Sequence, residues 1–268
     1  MIASWDLEKK SVYKLCFRDF FMGYWPVVKK VVKDSDILLL VADARLPEIS
    51  VNKELKEMVF KYGKRMVLVF TKRDLVSEKY LNFVMEKYKD SLFVSGTQNI
   101  GVAKLKEHLM IMAKRIGIKE PKIGIVGYPN VGKSAIINAL AKRASAKVTA
   151  KAGTTKGIQW IRAGGLMILD SPGVVPFEDD EAILGVLGAK NPEKLRNPEK
   201  VGLEIIKMFL DYDKKVLEDL YGIEIIDPDT ALEEIGKKKG LLLKGGVVDI
   251  QRAAMQVLRD WQKGRLKF

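Results

Sequence analysis

The sequence predicts an α/β fold: a doubly wound, mainly parallel sheet with helices on both faces, followed by a small all-helical region. Three observations carry this. Short runs of Ile, Leu and Val alternate with longer stretches whose apolar residues recur at helical spacing. Up to residue 173 each such run ends in a loop of polar, Gly or Pro residues, the position at which sheets of this kind hold ligands. One run, 123–126, opens through Gly127-Tyr128-Pro129-Asn130-Val131-Gly132-Lys133-Ser134 into an apolar helix. This matches the phosphate-binding pattern G-x-x-x-x-G-K-[ST] in its required strand-to-helix setting.

Residues 7–34 mix charge with Phe17, Phe20, Phe21, Trp25, Val27 and Val28, and read as helical segments broken near Gly23 and Pro26. The run 36–41, almost wholly Ile, Leu and Val, reads as a strand. It leads into Asp43-Ala44-Arg45-Leu46-Pro47, where Asp43 and Arg45 are expected to brace the sheet end. An amphipathic helix with Leu55, Val59 and Tyr62 inward precedes the strand 66–70, which ends in Thr71-Lys72-Arg73-Asp74. A helix over 77–89, a short strand 92–94 and the turn Ser95-Gly96-Thr97 follow. The helix 102–116 turns Leu105, Leu109 and Met112 inward, and 117–121 connect it to the phosphate-loop strand. Beyond the loop's helix, Ala152-Gly153-Thr154-Thr155-Lys156 leads to two pairing strands, 158–162 and 166–169, the second ending in Asp170-Ser171-Pro172-Gly173.

Gly, Asn and Pro mark 185–200 as a linker, which divides the chain into domains at 1–180 and 181–268. Only helices are expected after it: 199–221, a second opened by the capping box Thr230-x-x-Glu233, and a third over 249–263. The last turns Ile250, Ala254, Val257, Leu258 and Trp261 inward. Its other stripe, Arg252, Gln256, Arg259 and Lys263, reads as a solvated face or as a contact for RNA or protein.

The phosphate loop has a chemical reason for its spacing. Gly127 and Gly132 let backbone N–H groups close on phosphate oxygens at a helix N-terminus, with Asn130, Val131, Gly132, Lys133, Ser134 and Ala135 forming the wrap. Lys133 is placed to reach the β- and γ-phosphates, and Ser134 to give its hydroxyl to Mg²⁺. Other strand ends select the base. The Asp74 carboxylate can accept from guanine N1–H and N2–H₂, donors that the adenine edge does not offer in that arrangement. The Lys72 stem would lie over the base, Thr71 borders the same loop, and the amides of Ser95 and Gly96, beside Thr97, would meet guanine O6. Asp170 can hold Mg²⁺ through water, the Gly173 N–H can sense the γ-phosphate, and Thr155, or failing it Thr154, would add a hydroxyl to the metal only when that phosphate is present. Lys133, Thr155 and Gly173 are therefore the catalytic candidates.

These elements resemble those of the translation-factor class of GTPases in a rotated order, with TKRD and SGT ahead of the phosphate loop. The chain resembles the circularly permuted GTPases of the YlqF/RbgA and YawG type from DARLP through the last helices, including Gly245-Gly246 and Asp249. That resemblance implies a GTP-hydrolysing switch in ribosome assembly, with GTP and GDP, Mg²⁺ and a ribosomal subunit, its rRNA and its proteins, as partners. It also implies K⁺ held through Asn130; a loop asparagine bonded to its own backbone is the other reading. Thr71 stands where the class commonly has asparagine, so a weaker contact with the phosphate loop is expected. Val174 and Val175 follow Gly173 where many GTPases have the glutamine that orients water. No histidine precedes His108, and Phe21 to Pro26 occupy the place of the histidine found in YlqF relatives. Slow turnover is expected, and a binding module whose GTP is scarcely turned over remains open, as does, more distantly, an ATPase.

Composition limits the remaining classes. The 268 residues carry 47 Lys and Arg against 34 Asp and Glu, a net charge of +13 that suits a polyanionic partner. Residues 122–162 hold eight of the basic residues and no acid. The single cysteine, Cys16, excludes an internal disulfide and fits a reducing cytosol. No apolar run has membrane-spanning length and 1–10 do not resemble a signal peptide, so a cytoplasmic monomer without a membrane partner is expected.

Overall fold

The computed structural model describes residues 25–142, 160–175 and 180–268. The chain runs α1 (Trp25–Asp34), β1 (Ile37–Asp43), α2 (Pro47–Ser50), α3 (Lys53–Lys61), β2 (Arg65–Thr71), α4 (Glu78–Lys87), β3 (Ser91–Phe93), α5 (Val102–Arg115), β4 (Lys122–Gly127) and α6 (Lys133–Lys142). After β5 (Trp160–Ala163) and β6 (Leu166–Asp170) come α7 (Glu181–Val186), α8 (Pro198–Tyr212), α9 (Lys215–Tyr221), α10 (Pro228–Lys238) and α11 (Ile250–Gln262). Among the described residues no helix is long and apolar enough to cross a membrane.

The six strands lie in the order β3-β2-β1-β4-β6-β5, all pairs being parallel except β5 with β6. β1 is buried along its whole length because it is paired on both edges and covered on its faces. Leu38 and Leu40 pack with Val28, Val31 and Val32 of α1 and with Leu55 and Val59 of α3. Each such side chain contributes about 1.5–3 kcal/mol by leaving water. The register aligns Asp43 with Thr71, Val41 with Gly127 and Ile125 with Asp170. All the expected motif loops on these strands therefore leave the same edge of the sheet, as parallel pairing requires.

The described chain forms two compact units, one reaching Lys190 and one starting at Asn191. Helix α7 belongs to the first, with Ala182, Leu184 and Val186 buried, so the expected boundary after 180 falls too early. Nor are 185–200 a structureless linker. Asn191 caps a 3-10 turn, Pro192–Lys194, and Asn197 caps α8, each followed by proline in the first turn.

The second unit departs from the sequence expectation in three further places. The helix expected over 199–221 is two, because Asp213 is extended between α8 and α9. The start of α10 is capped by Asp227, which accepts from Asp229 and Thr230 N–H, rather than by a Thr230 capping box. Residues 241–249 form a hairpin, with Leu242 bridged to Val248 and the Leu243 N–H bonded to Val247 O, where only helices were expected. The core of this unit is Phe209, Trp261 and Phe268, with Gly202 closing on Ala254 where α8 crosses α11. Buried Asp260 gathers Tyr221 Oη at 3.1 Å, Gln256 Nε2 at 2.8 Å and Arg265 at 2.9 Å. Arg259 pairs with Glu193 at 3.0 Å, so two members of the stripe read as a solvated face or a contact, Gln256 and Arg259, are bonded within this unit.

Candidate nucleotide-binding site

β4 ends at Gly127, where a Cβ would lie 2.4 Å from Val41 O, and the loop beyond it turns through left-handed Asn130 (φ 58°) and Gly132 (φ 100°). Only small or amide-bearing residues take such angles readily. Helix α6 starts at Lys133, whose buried ammonium donates to Gly127 O at 3.2 Å and Tyr128 O at 2.5 Å. The charge is thus held on the loop itself rather than left on a mobile stem. Ser134 is exposed at the head of α6.

Thr71, at the end of β2, is buried, and its hydroxyl lies within hydrogen-bond distance of Ala42 O (3.1 Å) and of Val131 O in the phosphate loop. A Cβ on Gly132 would stand 3.1 Å from Thr71 Oγ1. The weak contact expected here is therefore a close one: glycine lets the loop approach until the short threonine side chain reaches it. Lys72 is left-handed (φ 56°), and Leu75 N–H donates to its carbonyl at 2.9 Å, closing the turn Arg73–Leu75 that carries half-buried Asp74. Arg73 N–H donates to Val94 O at 3.3 Å, tying this turn to the strand beside it.

Lys72 Nζ is 2.7 Å from Asp43 Oδ2, and Arg45 clamps both carboxylate oxygens. Burial alone would raise the Asp43 carboxyl. The Arg45 charge, then the Lys72 charge and their hydrogen bonds, outweigh burial and hold it far below the usual carboxylate range. Asp43 and Arg45 do sit at the sheet end as a brace, and the bond to Lys72 is a feature that the sequence did not suggest.

The Ser95 N–H donates to Ile100 O at 2.9 Å and its carbonyl accepts from Ile100 N–H at 3.0 Å. That amide, expected to meet guanine O6, is bonded inside the loop. Ser95 Oγ bonds Thr97 Oγ1 and the Gln98 N–H, both at 3.1 Å. Gly96 is pressed onto α6: a Cβ there would be 2.5 Å from the Ala135 carbonyl carbon.

At the end of β6, Ser171 Oγ donates to Ile125 O and Val174 N–H to Gly127 O at 3.2 Å. A Cβ on Gly173 would fall 2.5 Å from Pro129 N. Val174 and Val175 are buried, Val174 in the cluster beneath α1 and α3, with its carbonyl 3.5 Å from Asn52 Nδ2. Asn130 Nδ2 donates to Gly188 O at 2.6 Å, so it is not bonded to its own backbone; its other end is an amide oxygen.

Thr154 and Thr155 lie outside the described residues, as does the Asp170 side chain. Ser134, exposed at the head of α6, carries a hydroxyl, a hard oxygen donor of the kind that suits Mg²⁺. Among the described residues no three His, Cys, Asp or Glu cluster as metal ligands. Phosphate and water would complete the ion's shell.

A phosphate loop preceded in the chain by its base-side loops, and gathered with them at one edge of a parallel sheet, defines a circularly permuted P-loop GTPase domain. The family model described as RsgA GTPase matches residues 24–179, and the chain belongs to this family. A second model, 50S ribosome-binding GTPase, matches 122–239. An uncharacterized GTP-binding protein of Methanocaldococcus jannaschii is 36% identical over 249 residues, covering 90% of this chain and 65% of its own. A nuclear GTP-binding protein of Saccharomyces cerevisiae is 31% identical, covering 91% of this chain and 55% of its own. The chain thus spans between half and two thirds of the length of these relatives. Among solved structures, GDP-bound YlqF superposes with a TM-score of 0.60 at 23% identity, covering 90% of this chain and 96% of that one. GNP-bound YlqF from T. maritima gives 0.57 at 24%, covering 90% and 94%. Both show the same fold.

Proposed function

We propose that the chain is a GTP-binding switch that hydrolyses GTP slowly and acts in ribosome assembly. The observation that carries this is the packing of three sequence-distant loops on one phosphate loop: Thr71 on Gly132, Gly96 on Ala135 and Gly173 on Pro129. Asp74 and Lys72 would read the base, Gly96 would meet guanine O6, and Lys133 would hold the phosphates. The Gly173 N–H would face the γ-phosphate. Mg²⁺, held through Ser134, Asp170 and Thr155, would supply neutralising charge to the phosphates when bound.

A charged lysine and oriented amides stabilise the transferring phosphoryl group, but hydrolysis also needs an oriented water. Burial removes the Val174 and Val175 side chains from that task, and valine offers no hydrogen bond. Slow intrinsic turnover follows, with the missing group brought by a partner. The basic region 122–162 and the 50S description of one matching family support a ribosomal subunit as that partner. The buried valines equally favour the second reading, a GTP-dependent binding module with little turnover.

Turnover measured with and without separated ribosomal subunits, in K⁺ and in Na⁺, decides between them. Stimulation of about tenfold or more by one subunit is expected, greater in K⁺, for which the Asn130 amide oxygen is the candidate ligand. Equal rates in all four conditions would leave the binding module. Asn130 also bonds the segment that follows α7 and leads to the helical unit, so phosphate-loop changes have a path to it. Sedimentation that differs between GDP and a non-hydrolysable GTP analogue is expected, and identical coefficients would remove the coupling.

A further inference from the structure

We propose that Asp43 is a positioning residue for guanine: it anchors the Lys72 ammonium so that the lysine stem forms a fixed bar against which the base lies. This rests on the guanine reading of Asp74. The carboxylate does not need Lys72 for its own burial. Arg45, itself buried, bonds it through Nε (3.1 Å), Nη2 (2.8 Å) and its backbone N–H (3.0 Å). Ser50 fixes the backbone behind it, accepting from Asp43 N–H at 2.9 Å and donating to Asp43 O at 3.1 Å. The acceptor is therefore rigid before Lys72 arrives.

Lysine, by contrast, gives something up. An ammonium on a turn ordinarily reaches into water, and its side chain keeps more rotamer freedom than almost any other. Here it folds back 2.7 Å from Asp43 Oδ2, from a left-handed backbone that a lysine adopts under strain. Such strain persists where the surrounding structure imposes it, and it is typical of ligand clamps. With both ends of the side chain fixed, the methylenes run from the turn carrying Asp74 back to the sheet edge. A base whose edge meets Asp74 then finds its face already supported, and the ordering of the lysine is complete before binding.

The test is the affinity of methylanthraniloyl-GDP for the unaltered chain, Asp43→Asn, Lys72→Met and the double variant, with competition by inorganic triphosphate and thermal melting alongside. Each single change is expected to weaken GDP binding about tenfold, the double change no further, and triphosphate binding should stay the same. Asp43→Asn also leaves Arg45 without its buried charge partner. If it fails to fold, Asp43→Glu keeps a carboxylate for Arg45 while displacing the acceptor for Lys72, and the same pattern is expected. GDP affinity unchanged by either Asp43 variant, weakening that multiplies in the double variant, or parallel loss of triphosphate binding would each overturn the proposal. Equal affinity of the unaltered chain for the GDP and ADP probes would instead overturn the guanine reading, and the proposal with it.

Discussion

Gly173→Ala is expected to slow GTP turnover by about a hundredfold while leaving GDP affinity within about threefold. The added Cβ would stand 2.5 Å from Pro129 N and 2.6 Å from Pro129 Cα, atoms of the phosphate-loop backbone. Backbone cannot rotate out of the way as the end of a flexible side chain can. Either the loop or the DSPG segment must move, and the loop resists because Lys133 Nζ is bonded to its Gly127 and Tyr128 carbonyls. The DSPG segment is the one that yields. A shift of about 1 Å at the amide proposed to face the γ-phosphate would be enough for a loss of this size, since such an interaction would be made in the transition state. The base-side contacts, Thr71 on Gly132 and Gly96 on Ala135, are on other atoms and remain. Single-turnover hydrolysis and GDP titration of the same preparation check both halves. Wild-type turnover in the variant would remove Gly173 from the γ-phosphate, and a parallel loss of GDP affinity would mean that the phosphate loop itself had been distorted.

The parts of this fold that could be read from the sequence are those in which one residue type carries a backbone or pairing constraint. Continuous Ile, Leu and Val identify β1 as a strand, and the strand-to-helix setting identifies the phosphate loop. What escaped depends on contacts between distant residues or on choices between local alternatives. The Lys72–Asp43 bond spans 29 residues and the Asn130–Gly188 bond 58, and no periodicity encodes either. The chemistry of Thr71 predicts a weak contact, whereas the absence of a side chain on Gly132 settles the distance. In 185–200 the Asn and Pro residues that suggested a linker serve as helix caps and first-turn residues, since the same preference for non-helical angles places them in loops and at helix starts. Asp227 took the cap from Thr230 because it lies directly before Pro228, which suits the first turn. The Ser95–Ile100 bonds are equally invisible, because a hydrogen bond closed within one short loop leaves no mark on the sequence.

Asp74→Asn is expected to weaken GDP binding by about a hundredfold and to make xanthosine diphosphate the preferred ligand. The carboxylate has acceptors only, matching two guanine donors; asparagine sets an N–H₂ against one of them. A hydrogen bond to a charged group contributes about 1.5–3 kcal/mol, so losing one and facing a donor with a donor amounts to roughly two powers of ten. Xanthine carries a carbonyl where guanine has its amino group, and the new N–H₂ can donate to it. The change should cost little stability, since Asp74 is only half-buried and its turn is held by backbone bonds, Leu75 N–H to Lys72 O and Arg73 N–H to Val94 O. Lys133 and the phosphate loop keep their own contacts, so triphosphate binding should not change. Competition among guanine, xanthine and adenine diphosphates separates the outcomes. A variant that still prefers GDP would place the base elsewhere than on the 71–74 turn, whereas a variant that loses all three equally would show Asp74 to be structural. A switch to xanthine with unchanged phosphate affinity requires the carboxylate to touch the base directly, since no indirect effect would distinguish an amino group from a carbonyl at one ring carbon.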